Sequence, residues 1–265
     1  MQIYTLASGS AGNSALIYDN NTSILIDAGI SARRLCKALQ QLGLSVDGLS
    51  GILITHEHTD HVCGLDTLIK HHEVPIFAPR TVANHLRWSI AGVEDYITEL
   101  SVGNETTIGG LSVVPFLTPH DTPESVGYRI TGSHTVGYCT DCGHVTDEMW
   151  EGLKGADTVV IEANHDIQRL LDGPYPAMLK RRILSDRGHL SNKSCGELAV
   201  RLAEEGTRQF ILAHLSRENN TPALALKAVT EALRLGSQEA DSGISVNVAP
   251  EKDIFSLSLE VKSIC

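Results

Sequence analysis

The chain has 265 residues, of which 42% are hydrophobic and 20% charged, enough to bury a sizeable core and ordinary for a globular fold. With 21 basic and 32 acidic residues its net charge is −11, which argues against a general polyanion-binding surface. Its apolar runs stop at strand length, short of the roughly 20 residues of a membrane span, and the opening MQIYTLASGS lacks a charged and then apolar leader, so a cytoplasmic protein with no membrane contact is expected.

The first half is rich in strands. QIYTLAS, SALIYD and SILIDAG read as short β-runs, the last two joined by the Asn20-Asn21 turn. SARRLCKALQQLG reads as a helix, with Ser31 as cap, Leu35, Leu39 and Leu42 on one face and Gly43 as stop. The buried strand LSGILIT follows, then a His-rich loop, a helix from about His61 to His72, the strand VPIFAP, and a helix to about Ile90. The middle returns to strands in TTIGGLSVVPFLTPH, SVGYRITG and HTVGYCTD, with Gly132-Ser133 as a hairpin signal.

The second half alternates. A helix at DEMWEGLKG precedes the strand DTVVIEAN, and helices are expected over 176–184 and 192–205. The strand RQFILAHL, a helix over 222–235, and the strands GISVNVA and DIFSLSLEV complete the chain. Nothing in composition separates the halves, so the expectation is one α/β domain over residues 1–265, with packed sheets inside and helices outside.

Of the cysteines at 36, 63, 139, 142, 195 and 265, only Cys139 and Cys142 have C-x-x-C spacing. With no second pair, a structural zinc site is disfavoured. Strand alternation places Cys139 and Asp141 on one side and Cys142 on the other. That makes the pair a poor chelator and Asp141 the residue that counts, although a redox or metal-binding module built on the two thiols is a competing class.

The strongest chemical signal is ILITHEHTDHVCGL, where an apolar strand runs directly into His56, His58, Asp60 and His61. Burying three imidazoles and a carboxylate without a partner costs several kcal/mol, and a bound metal resolves that cost. Neutral imidazole and carboxylate suit Zn, Mn, Fe or Ni.

H-x-H-x-D-H after an apolar strand resembles the signature of the metallo-β-lactamase superfamily. The resemblance implies a four-layer αβ/βα sandwich and two divalent metal ions. It implies that His56 and His58 serve one ion, and Asp60 and His61 the other. His120 in LTPHDTPESVGYRI, Asp141 in GYCTDCG and His214 in QFILAHLSRENNTP then match the remaining ligands, each at a strand end and in the family's order. A hydroxide shared between two metals is the implied nucleophile, with Asp60 and Asp141 to orient it or accept its proton.

LASGSAGNSALIY, EANHD, RGHLSN and AHLSRENNTP are similar to stretches of the YycJ (WalJ)-type subgroup. That similarity implies a 5′→3′ exodeoxyribonuclease acting on DNA in mismatch repair. A small-molecule hydrolase of the same fold, acting on a cyclic phosphodiester or a thioester, is the alternative.

Phosphodiester hydrolysis needs an acid for the leaving oxygen. His189 is the candidate, against a simpler role capping the helix that begins near Asn192. Ser10, Gly12 and Asn13 form a Gly-rich turn able to present N–H groups to phosphate. His165, Ser216, Asn219 and Asn220 are further candidate substrate contacts. Lys180, Arg181, Arg182 and Arg187 lie just before His189 as a candidate backbone-phosphate track.

Overall fold

The computed structural model describes residues 1–236 and 243–259. Cys265 and the end of the closing strand, residues 260 and 261, lie outside the described residues. The strands form two seven-stranded mixed sheets flanked by helices. The chain divides into two compact units: Met1–Pro115 with Ile130–His134 and the stretch from Pro250, and Phe116–Arg129 with Thr135–Ala249. No helix among the described residues is long and apolar enough to cross a membrane.

In the first unit, β1 (Gln2–Ala7), β2 (Ser14–Asp19) and β3 (Thr22–Ile26) form an antiparallel meander. Asn20 and Asn21 sit at φ 46° and 65°, the double left-handed turn that matches strand twist in a tight hairpin. From β3 the sheet continues in parallel through β4 (Gly51–Leu53), β5 (Ile76–Pro79) and β6 (Ile97–Leu100). β14 (Phe255–Ser258) closes the other edge against β1. Strand β6 has no counterpart in the sequence reading, because only the two end residues of ITEL are buried and its pattern is weak.

Helix α1 (Ala32–Gln41) follows the expected signals: the Ser31 hydroxyl accepts from Arg34 N–H, Leu35 and Leu39 are fully buried, and Gly43 lies at φ 74°. The single helix expected from His61 to His72 is instead two short ones, α2 (Thr59–Val62) and α3 (Leu65–Ile69). The break is at Gly64, whose N–H donates to Ala28 O at 2.9 Å. A Cβ there would lie 2.2 Å from Ile30 O, so the backbone is pressed against the β3–α1 connection and cannot continue as helix. α4 (Arg80–Ser89) completes the unit, and Leu35, Leu39, Leu65, Leu68, Val82 and Leu86 share one buried core with β3, β4 and β5.

The run TTIGGLSVVPFLTPH is split into β7 (Thr106–Ile108) and β8 (Leu111–Leu117) at Gly109, which turns at φ 59°. β9 (Val126–Thr131) and β10 (Thr135–Cys139) follow. In the second unit β10, β11 (Thr158–Glu162), β12 (Gln209–Ala213) and β13 (Ser245–Val248) run parallel. Parallel strands covered on both faces read as continuous apolar runs, and every residue of TVVIE in β11 is buried. α5 (Asp147–Leu153), α7 (Ala177–Ile183), α8 (Asn192–Glu204) and α9 (Pro222–Gly236) fall where expected. α6 (Ile167–Asp172), capped by Asp166, is additional.

Candidate metal centre

Parallel strands deliver side chains to one place, their C-terminal ends, which is where open α/β sheets bind ligands. Each unit gathers ionisable residues there.

In the first unit, Ile54 and Thr55 follow β4 and lead to His56, while α2 carries Asp60 and His61. His56 Nε2 lies 3.2 Å from His58 Nδ1, and the His56 and His61 rings are 4.0 Å apart between centroids. The residue after β3, Asp27, is fully buried; its Oδ2 is 2.7 Å from His61 Nδ1, and it accepts from Thr55 N–H and hydroxyl. A carboxylate only accepts, so the His61 proton sits on Nδ1 and Nε2 is left as a donor of electron pairs. Asp60 Oδ2 lies 3.6 Å from that Nε2.

In the second unit, His120 follows β8, Asp141 follows β10, Glu162 ends β11 and His214 follows β12. Asp141, Glu162, His189 and His214 offer ligand atoms that all lie within 4.8 Å of one another, and His120 Nε2 is 3.7 Å from Asp141 Oδ1. Glu162 is the hub. Its Oε1 accepts from His214 Nδ1 at 2.7 Å and His189 Nδ1 at 2.9 Å. Its Oε2 accepts from the N–H groups of Cys142 at 3.0 Å and Leu190 at 2.9 Å. Burial alone would raise the carboxyl, but the charge of His189 and the bonds from both imidazoles bring it down to about 2. Burial opposes protonation of His189, yet the Glu162 charge and hydrogen bond prevail and raise it above the ordinary imidazole value. His120 is lowered, chiefly by burial, and its Nδ1 faces Gly188 O at 3.2 Å.

These arrangements fit divalent metal ions. His61 on Asp27 and His214 on Glu162 are carboxylate–imidazole pairs, in which the carboxylate fixes the tautomer and turns neutral Nε2 outward as a ligand. His120 on a backbone carbonyl does the same. The donor set is nitrogen and oxygen, suited to Zn, Mn, Fe or Ni.

Among non-glycine described residues, positive φ occurs at the two hairpin asparagines and at Asp27 (61°), Asp141 (58°) and His214 (55°). Three of the five strained residues therefore carry site side chains, and such strain persists only where surrounding structure fixes it. Asp141 also overturns the expectation for the thiols. β10 stops at Cys139 and the left-handed Asp141 ends the alternation, so the Cys139 and Cys142 sulfurs face each other at 3.9 Å. Both are fully buried, and Cys142 Sγ lies 3.8 Å from Glu162 Oε2.

His189 does not cap α8; the Ser191 hydroxyl does, accepting from Ser194 N–H. The His189 side chain is 20% exposed, the only member of the second cluster open to solvent to that degree. Ser10 is exposed in the Gly-rich turn. Asn13 is buried, and its amide donates to Asp60 Oδ2 and approaches His61 Nε2 at 3.1 Å. His165 is 1% exposed, held neutral by burial with its pKa down to about 4, and neither ring nitrogen makes a hydrogen bond. Ser216, Asn219 and Asn220 are buried and turned inward: Ser216 Oγ accepts from Asn219, and the Asn220 amide donates to Ala163 O and Asn192 Oδ1. Arg187 donates to His120 O and Thr122 O at 2.6 Å each. Lys180 donates to Leu171 O, and Arg182 pairs with Asp121. Sequence reasoning passed over Asp27 and Glu162. The signal for both was present: a carboxylate directly after three consecutive apolar strand residues, in SILID and TVVIE, must be buried and must be partnered.

Residues 22–215 match the model of the β-lactamase superfamily domain. The chain is 37% identical over 232 residues to the exodeoxyribonuclease YycJ of Bacillus anthracis, covering 86% of this chain and 87% of that protein. It is 34% identical over 251 residues to the exodeoxyribonuclease WalJ of Streptococcus pneumoniae, covering 91% and 90%. In fold it is similar to the Zn(2+)-bound PqqB of Methylobacterium extorquens, with a TM-score of 0.71 at 19% identity, over 98% of this chain and all of that one.

Proposed function

As a member of the metallo-β-lactamase superfamily, in the group of the exodeoxyribonucleases YycJ and WalJ, this chain is a metal-dependent hydrolase, and we propose that it is a two-metal phosphodiesterase that degrades DNA from the 5′ end. The observation that carries the reading is the Glu162 hub, which holds a metal-ligand imidazole on one side and an acid imidazole on the same oxygen. The ligands we assign are His56, His58, Asp60 and His61 in the first unit and His120, Asp141 and His214 in the second. Bound divalent ions supply Lewis-acid stabilisation of phosphoryl oxygens and lower the pKa of water.

The chain's own residues do the rest. Asp27 and Glu162 keep the His61 and His214 ligand nitrogens unprotonated. His189 is the acid for the leaving sugar oxygen: the Glu162 carboxylate favours its protonated form, and its partial exposure lets it meet a substrate. Asp60 in the first unit and Asp141 in the second are the carboxylates that would orient a water or accept its proton. Ser10 and the basic residues of α7, Lys180, Arg181 and Arg182, with Arg187 beyond it, supply sugar–phosphate contacts. Support for the polymer is this cluster of four cations within eight residues of a chain whose net charge is −11.

The test compares one metal-loaded preparation on bis-p-nitrophenyl phosphate and on 5′-labelled single- and double-stranded DNA. Release of labelled mononucleotide is expected. Rapid turnover of the small ester with the polymer intact would instead assign a small-molecule phosphodiesterase.

A further inference from the structure

Outside the metal-ligand clusters, the first unit holds a second constellation of nucleophile, base and carboxylate. Cys36, on α1, places its Sγ 3.9 Å from His72 Nε2. The other ring nitrogen, Nδ1, lies 2.9 Å from Asp47 Oδ1. The three residues come from α1, the turn after α3 and the 3-10 turn Val46–Gly48. Cys36 is partly exposed and the His72 side chain is 25% exposed, so a small reagent can reach both.

Hydrogen-bond direction sets the chemistry. The Asp47 carboxylate can only accept, so the proton of His72 resides on Nδ1 and Nε2 is presented to the thiol. Transfer of the thiol proton to Nε2 leaves a thiolate beside an imidazolium whose Nδ1–H stays on Asp47. The sulfur and Nε2 close from their 3.9 Å separation for the transfer. The thiolate is the reactive form of cysteine, and a base oriented by a third group is the general device that produces it. A cysteine that only filled space would need neither partner.

The other described cysteines lack this arrangement. Cys139, Cys142 and Cys195 are fully buried. Cys63 is exposed, but its thiol donates to Gly29 O at 3.1 Å, a carbonyl that cannot take the proton away.

We propose that Cys36 is the reactive thiol among the described cysteines and a covalent modification site for small disulfides, with His72 as base and Asp47 as its orienting group. The Cys36 sulfur attacks one sulfur of RS–SR. A Cys36–S–S–R bond forms, the RS–SR bond breaks, and its electron pair leaves on RS⁻. That thiolate takes the proton held by His72 and departs as RSH. Cys36 is oxidised to the mixed disulfide and one reagent sulfur is reduced, so no further oxidant is needed.

The test treats the full-length, metal-loaded chain with the aromatic disulfide dithiobis(nitrobenzoate) at neutral pH and maps labelled peptides at timed intervals. Cys36 should react about tenfold faster than Cys63, because a base stands beside it to take the thiol proton and Cys63 has none. His72→Ala and Asp47→Asn should each slow Cys36 about threefold or more while the Cys63 rate stays unchanged. His72→Gln, which removes the base and keeps much of the volume, should reproduce the His72→Ala result. Labelling of Cys63 first, or a Cys36 rate indifferent to both His72 variants, overturns the proposal.

Discussion

Glu162→Gln isolates the carboxylate that ties the second cluster together. Oε1 accepts from two imidazoles and Oε2 from two backbone N–H groups. Glutamine keeps the shape but turns one head atom into a donor. With its NH₂ toward Cys142 and Leu190, two buried N–H groups lose their acceptor. At about 1–3 kcal/mol for each, the loss is about 2–6 kcal/mol. At roughly 2 °C per kcal/mol for a chain of this size, the melting temperature falls by about 4 °C or more. With its NH₂ toward the imidazoles, stability is largely kept. His214 must then accept at Nδ1 and carry its proton on Nε2, which removes it as a metal ligand and costs about 10–100-fold in metal affinity. Calorimetric melting of metal-free protein and isothermal titration with Mn²⁺ or Zn²⁺ measure the two branches separately. A variant within about 2 °C of wild type and with unchanged metal affinity would refute the reasoning.

The remaining predictions concern the acid, the backbone beneath the first cluster and an anchoring carboxylate. His189→Asn should lower kcat on DNA by about 10²–10⁴-fold yet spare p-nitrophenyl phosphodiesters, whose leaving group needs no proton; equal losses on both substrates would remove His189 from the acid role. Gly29→Ala places a Cβ 1.7 Å from Asp60 O and 2.7 Å from Asn13 N, both backbone atoms that cannot swing aside. A loss of about 1–3 kcal/mol or more with weakened metal binding is expected, and a wild-type melting curve and affinity would contradict it. Asp19 accepts from Ser133 N–H at 2.6 Å and the Ser133 hydroxyl at 2.9 Å, with the Met1 ammonium 3.5 Å away. Burial opposes its ionisation, but these partners prevail and its pKa is lowered. A depressed folded value means the stabilisation is present above the ordinary carboxylate pKa and is lost as pH falls through the folded one. Asp19→Asn should therefore cost about 1–3 kcal/mol at neutral pH in urea unfolding, with the gap to wild type closing in acid.

The residues we assign as metal ligands were legible because their chemistry is specific to residue type. Three histidines and an aspartate after an apolar strand have few uses, and His120, Asp141 and His214 each follow a strand. The capped helix α1 and the Asn20-Asn21 hairpin were legible for the same reason, since local rules decide them. What escaped depends on contacts distant in sequence. Gly64 breaks a helix only because the segment from Ala28 to Ile30 presses on it. The thiols of Cys139 and Cys142 meet only because Asp141 turns left-handed. Cys36, Asp47 and His72 carry no spacing signal; folding alone assembles them. Glu162 was a different kind of miss, since the neighbouring His165 looked more chemical while the carboxylate ending TVVIE held the cluster together.

The most direct test of the central claim is cleavage of duplex DNA labelled at either the 5′ or the 3′ end, by wild-type protein and Asp141→Asn with Mn²⁺ or Zn²⁺. The account predicts that wild type releases 5′ label as mononucleotide at early times while 3′ label stays in long fragments, and that Asp141→Asn releases neither. Early release of 3′ label, or intact DNA with every metal, would contradict the assignment, as would a fully active Asp141→Asn enzyme.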